Sequence, residues 1–294
     1  FKSPADPQST HAKFEYLKTR LQRGDIQAVR DNQQGMILRK VRGSYDESIE
    51  AIASIERFLI QPIHTELFTE LTKNVFALAS LRAKPSRSVK RTDERGNVGS
   101  AGQNTGSVYF SLRQRSAKSN RGNSRLRETV DRLHEWFARL KLGQAIEINS
   151  WRDLIDMRTT VDSKSLRSDS VVDIGVGFSQ AAPILVQMAA MPDNAILITE
   201  QPELHLYPWA QTKLGEIFCE EAARGNKRIF IETHSEHLIQ GVQLHLSRNR
   251  EKKSGLKPRD VQVVYIDKEK GVRLLELDEY GEFRTPWPEG FFDQ

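Results

Sequence analysis

Two short apolar runs, Ala195-Ile196-Leu197-Ile198 and Arg228-Ile229-Phe230-Ile231, each end in polar residues and then give way to a helical pattern. Runs of this length without polar alternation read as buried strands of a parallel sheet, and the intervening helices as crossovers, so the fold class expected is α/β. Helices are expected over residues 208–224, closed by Gly225, and from Ser235 to about Leu246. Residues 261–266 and 272–277 read as two strands joined by a turn at Lys270-Gly271.

The chain before residue 171 has a different rhythm. Residues 12–23 repeat apolar side chains at helical spacing, and Ser44-Tyr45-Asp46-Glu47 makes a capping box ahead of Ile49, Ile52, Ile55 and Leu59. These helices are expected to form an arm or lid. From 82 to 127 the composition turns to Ser, Gly, Asn and basic residues, which favours loops over regular elements; a helix follows over about 125–142, stopped by Gly143. The expected division is a helical arm or lid with a basic loop region over 1–170, then a C-terminal lobe over 171–294.

Composition narrows the class further. With 294 residues, 38% of them hydrophobic, the chain can bury one large core or two modest ones. The single cysteine, Cys219, excludes an internal disulfide and fits a reducing cytoplasm. No run is long enough to span a bilayer, and Phe1-Lys2-Ser3-Pro4 has neither the apolar core nor the cleavage site of a signal peptide, so a cytoplasmic protein without membrane contact is expected. A net charge of +5 permits nucleic-acid contact without indicating it.

Chemistry concentrates at the strand ends. The run 196–208 delivers Glu200, Gln201 and Glu203 from an apolar strand and continues through His205 and Leu206 to Pro208. Open α/β sheets bind ligands at the carboxyl ends of their strands, where a carboxylate can hold Mg²⁺ beside a nucleoside triphosphate. The second run ends in Glu232-Thr233-His234-Ser235. Taken alone, His234 reads as a structural histidine. A third segment, Asp173-Ile174-Gly175-Val176-Gly177-Phe178-Ser179-Gln180, places glycines ahead of a helix expected to open at about Ala181, where backbone amides favour an anion.

Together these segments resemble the ABC-type ATPases of the SMC and overcoming-lysogenisation (OLD) class. The resemblance implies a P-loop NTPase lobe with a helical lid or arm insertion, binding ATP and Mg²⁺. Glu200 falls on the Walker B aspartate and metal ligand of that class, Gln201 on its catalytic glutamate, and His234 on its switch histidine. Residues Gly175, Gly177, Ser179 and Gln180 fall on the signature loop that meets the nucleotide of a second subunit, which implies a homodimer or higher oligomer. The order Gly-x-Gly-Phe-Ser-Gln departs from the usual Ser-Gly-Gly core.

The substitution at Gln201 matters chemically, because a neutral amide orients water but accepts no proton. Either Glu203 takes that role, or hydrolysis is slow and ATP acts mainly as a clamp. Leu81-Arg82-Ala83-Lys84-Pro85-Ser86-Arg87 and the ending Trp287-Pro288-Glu289-Gly290-Phe291-Phe292-Asp293 resemble segments of bacterial ATPases that include those of anti-phage systems such as Septu. Arg82 and Arg87 are candidates there to meet phosphate or the partner subunit, although arginines in a loop are more often solvated. That resemblance implies a separate nuclease effector, since no nuclease motif occurs in this sequence.

No Gly-x-x-x-x-Gly-Lys-Ser/Thr occurs in the sequence. In the resembling proteins that phosphate-gripping loop lies near the N-terminus, so it is expected upstream of Phe1. Other readings remain open at this level: a DNA-repair or DNA-binding SMC-like ATPase, a non-catalytic scaffold of the same fold, and a metal-dependent hydrolase built from Glu200, Glu203, His205, His234 and His237. For DNA, the stretch bearing Arg248, Arg250, Lys252, Lys253, Lys257 and Arg259 is the candidate contact.

Overall fold

Residues 26–30, 36–40, 72–92, 96–118, 124–143, 145–160, 168–251, 255–267 and 271–286 are described by the computed structural model. The helices expected at 12–23 and after Ser44, and the ending at 287–293, lie outside the described residues, as do Lys252, Lys253 and Lys270. The chain divides into two compact units, Phe1–Lys73 and Asn74–Gln294. In the first, β1 (Ile26–Arg30) pairs antiparallel with β2 (Met36–Lys40).

The second unit is built on a parallel sheet of order β3-β8-β9, from β3 (Val75–Leu78), β8 (Ile196–Glu200) and β9 (Arg228–Glu232). The two apolar runs are therefore strands, and the α/β class holds. Side chains alternate across a strand, so Leu197 and Thr199 turn to the core while Ile198 and Glu200 turn to the opposite face. Helices α3 (Val176–Ala190) and α4 (Pro208–Gly225) pack on this unit's core side. On the other face Ile198 and Phe230 are 42% and 58% exposed, where continuous burial was expected from the runs alone.

A second, antiparallel sheet of order β4-β6-β5 contains β4 (Val89–Lys90), β5 (Ala145–Trp151) and β6 (Leu154–Thr160), with β7 (Asp169–Ser170) also on β6. Trp151 faces Leu154 across the two-residue turn Arg152-Asp153, with Arg152 at φ 56°. Helix α1 (Thr105–Lys118) lies against this sheet, inside the stretch expected to be loops. That expectation is corrected. Glycine, serine and threonine suit a helix face pressed against strands, and a Cβ on Gly106 would already stand 3.0 Å from Val89 Cγ2.

Helix α2 (Ser124–Arg139) matches the helix expected there, and α5 (Glu236–Arg248) begins at Ser235, whose hydroxyl accepts from the Leu238 amide. The core joins Tyr109 and Leu112 of α1, Leu133, Trp136 and Phe137 of α2, and Ile184, Leu185 and Met188 of α3 to Leu197 of β8. Phe137 stacks on Phe178 at 5.1 Å. Helices α4 and α5 cross at two glycines: a Cβ on Gly241 would stand 2.1 Å from the Thr212 carbonyl oxygen, and one on Gly215 would stand 2.3 Å from that of Leu238. The strands β10 (Val263–Asp267) and β11 (Gly271–Leu275) form the expected hairpin. No helix among the described residues is long and apolar enough to cross a membrane.

Candidate nucleotide site

Strands β8 and β9 run in register to their carboxyl ends, where Glu200 lies opposite Glu232. The Gln201 amide donates to the Glu232 carbonyl at 2.8 Å and carries the ladder one residue further. Both carboxylates are exposed, and His234 Nε2 stands 3.2 Å from Glu232 Oε1. One Glu200 oxygen accepts from the Ser80 amide at 3.3 Å, so the loop after β3 borders the same edge. The segments carrying Glu200 and His234, 34 positions apart in the chain, thus form one edge because parallel strands deliver their ends to one side of a sheet.

Past Glu200 the chain turns sharply. Gln201 takes φ +41°, a left-handed conformation that costs a non-glycine residue about 1–3 kcal/mol and persists only where its surroundings hold it. The turn carries Glu203 into the protein, where it is 8% exposed and its Oε1 accepts from the His234 backbone amide at 3.0 Å. Its Oε2 is buried with no hydrogen-bond partner among the described residues. A buried carboxylate oxygen left without a donor is a natural acceptor for a bound water or ligand proton.

Arg82, 6% exposed, donates to the Glu200 carbonyl at 2.8 Å, the Gln201 carbonyl at 3.3 Å and Thr199 Oγ1 at 3.4 Å. Burial pulls its guanidinium down to about 10 against the opposing pull of Glu203 and Glu200, so it is charged at neutral pH. Arg87 pairs bidentately with Asp173, at 2.8 and 2.9 Å. Neither arginine is simply solvated: the two Nη groups of Arg82 are directed at the end of β8. Arg87 binds within the chain on an exposed surface.

Helix α3 starts at Val176, five residues before the expected opening at Ala181, because Gly175 at φ 118° ends the preceding loop. Gly175 and Val176 are exposed. A Cβ on Gly177 would stand 3.0 Å from the His205 carbonyl, which puts the start of α3 against the loop that follows Glu203. Ser179 and Gln180 are different: both are buried, and the Ser179 hydroxyl donates to the Val176 carbonyl at 2.7 Å. Gly177 thus lies against the loop that leaves the strand edge and Gly175 is exposed, whereas the Ser179 and Gln180 side chains turn inward.

Among the described residues no three His, Cys, Asp or Glu side chains come together to hold a metal by themselves. The five-residue set of the metal-hydrolase reading is therefore not assembled. Residues that sequence reasoning did not single out are Glu232, the Ser80 amide and the long-range tie from Arg82. Only Glu232 left a signal, as the last residue of a strand whose partner ends in Glu200.

A family model described as AAA ATPase domain matches residues 13–239. A second, described as a protein of unknown function, matches residues 256–294. A solved structure from work on the structural biochemistry of ATP-driven dimerization and DNA-stimulated activation of SMC ATPases is similar over 52% of this chain and 85% of that one. The identity is 11% and the TM-score 0.36. No curated protein matches the chain.

Proposed function

The chain belongs to the AAA ATPase domain family, and on that premise we propose that it hydrolyses ATP at the shared edge of β8 and β9. The observation that carries the reading is the link between Glu203 Oε1 and the His234 amide, 3.0 Å long, beside the register pair Glu200 and Glu232. It supports this reading by tying the proposed base to the backbone of the residue that carries the imidazole, next to the strand ends that bear the metal-side carboxylate.

Mg²⁺ binds hard oxygens, commonly one or two carboxylates together with the nucleotide's phosphates. Glu200, exposed and with one oxygen on the Ser80 amide, fits that requirement and would hold the ion. The ion would neutralise charge on the triphosphate. Glu203 Oε2 accepts the proton of the attacking water as its oxygen bonds to the γ-phosphorus and ADP leaves. The Gln201 amide can orient that water but cannot take its proton. His234 donates to the γ-phosphate.

In this reading Gly175, Gly177, Ser179 and Gln180 face ATP on a second copy, making a homodimer or a higher assembly. Gly175 and Gly177 do so through backbone at the start of the helix, while the inward Ser179 and Gln180 side chains hold that helix end in place, Ser179 through its hydroxyl on the Val176 carbonyl. Residues 171–294 carry the catalytic lobe's motifs, with β3, α1 and α2 adding to its sheet and core, and the rest of residues 1–170 supplies the arm. The Leu81–Arg87 and Trp287–Asp293 resemblances favour an OLD-like, anti-phage role in which the dimer governs a separate nuclease, with DNA as a further partner. A non-catalytic scaffold is the second reading, and it is favoured by the amide at Gln201.

Phosphate release from ATP by the full-length protein, with and without Mg²⁺, separates the two. Turnover that stops on chelation is expected; ATP binding without any release would leave the scaffold.

A further inference from the structure

We propose that Arg82 is a positioning residue whose guanidinium fixes the left-handed turn at Gln201 and so sets where Glu203 stands; its relevance to catalysis rests on the ATPase reading above. The φ torsion of Gln201 lies between the carbonyl carbons of Glu200 and Gln201. Both carbonyl oxygens are held by this one planar group, at 2.8 and 3.3 Å, and a further donor contact reaches Thr199 Oγ1. Three consecutive residues of the strand end are therefore pinned from a loop more than a hundred positions away. The restraint falls on the residue that needs one, since Gln201 at φ +41° is not a glycine.

The consequence travels along the chain. From the pinned turn, the Leu204 amide donates to the Gln201 carbonyl at 3.3 Å, and Glu203 is directed inward to the His234 amide. Arg82 also supplies a positive charge near the buried Glu203 carboxylate. A lysine could supply that charge, but its single ammonium lacks the rigid fork that holds two carbonyls in a fixed relation. The guanidinium's geometry is thus the property that matters at this position.

The test is amide hydrogen exchange at His234 in the full-length protein, compared among wild type, Arg82→Lys and the double variant Arg82→Lys/Gln201→Gly. Arg82→Lys should speed exchange at His234 by about tenfold or more, without an equal rise in the core of α3. Gln201→Gly, which takes positive φ without strain, should return the double variant to within about threefold of wild type. Wild-type exchange in Arg82→Lys, a uniform rise over the whole lobe, or no recovery in the double variant would each overturn the proposal.

ATP turnover in the same samples addresses the catalytic consequence. In Arg82→Lys, kcat should fall by about tenfold or more while ATP affinity changes by less than about threefold. Wild-type kcat in that variant would overturn the link to Glu203. A wild-type protein without turnover would remove the ATPase reading instead, and the exchange at His234 would still decide the role of Arg82.

Discussion

The side chain of Glu203 is bound by the backbone of His234, not by its imidazole: Oε1 accepts from the His234 N–H at 3.0 Å. The two functions assigned to this corner can therefore be separated. His234→Ala keeps the amide and so keeps Glu203 in place, while removing the proposed donor to the γ-phosphate. Preference for ATP over ADP should fall by about tenfold, the worth of one charge-assisted hydrogen bond. Competition binding with the two nucleotides measures it, and an unchanged preference would remove His234 from phosphate sensing.

Gln201→Glu restores a carboxylate at the position where the resembling ATPases carry one. If Glu203 already serves as base, the added carboxylate beside Glu200 and Glu203 brings like charge and no new function, and kcat should not rise by more than about threefold. A rise of about a hundredfold, read as steady-state phosphate release, would transfer the base role to position 201.

The crossing of α4 and α5 depends on missing side chains. At Gly241 an added methyl would lie 2.1 Å from the Thr212 carbonyl oxygen, which is backbone and cannot swing aside. Gly241→Ala should cost about 2 kcal/mol and lower the melting midpoint by about 4–8 °C in thermal unfolding followed by circular dichroism. An unchanged midpoint would mean that the helices can separate freely.

Cys219 links stability to alkaline pH. Burial pushes its thiol up to about 12 from 9.0, so the unfolded chain releases this proton near pH 9 while the folded chain retains it. The stabilisation is therefore complete below about pH 9 and is lost as pH rises toward 12. Between about pH 8 and 10.5 wild type should lose up to about 2 kcal/mol more than Cys219→Ala, compared by urea unfolding at both values. Equal losses would show that the thiol ionises in place.

Much of this molecule can be read along the chain. Strands β8 and β9, helices α4 and α5, and the β10–β11 hairpin follow from apolar runs, Pro208 at a helix start and capping at Ser235. What stayed hidden has physical causes. Helix α1 buries Thr105, Gly106 and Ser107 along with Val108, Tyr109 and Leu112, so its packed face looks like loop composition; the signal available was Val108 and Leu112 one turn apart. The β5–β6 hairpin turns on Arg152 at φ 56° instead of a glycine or asparagine. At the site, Glu200, Glu203 and His234 carry local motifs, whereas the bonds from Arg82 and Ser80 cross more than a hundred positions and leave no local trace. The early start of α3, which turns Ser179 inward, is set by the backbone of Gly175.

The most direct measurement is single-turnover ATP hydrolysis by Glu203→Gln alongside wild type, with nucleotide affinity determined separately. The introduced amide retains an oxygen for the His234 N–H but accepts no proton. The chemical rate should fall by about 10²–10⁴-fold with ATP affinity within about threefold of wild type. Hydrolysis at the wild-type rate would contradict the assignment of Glu203 as the base.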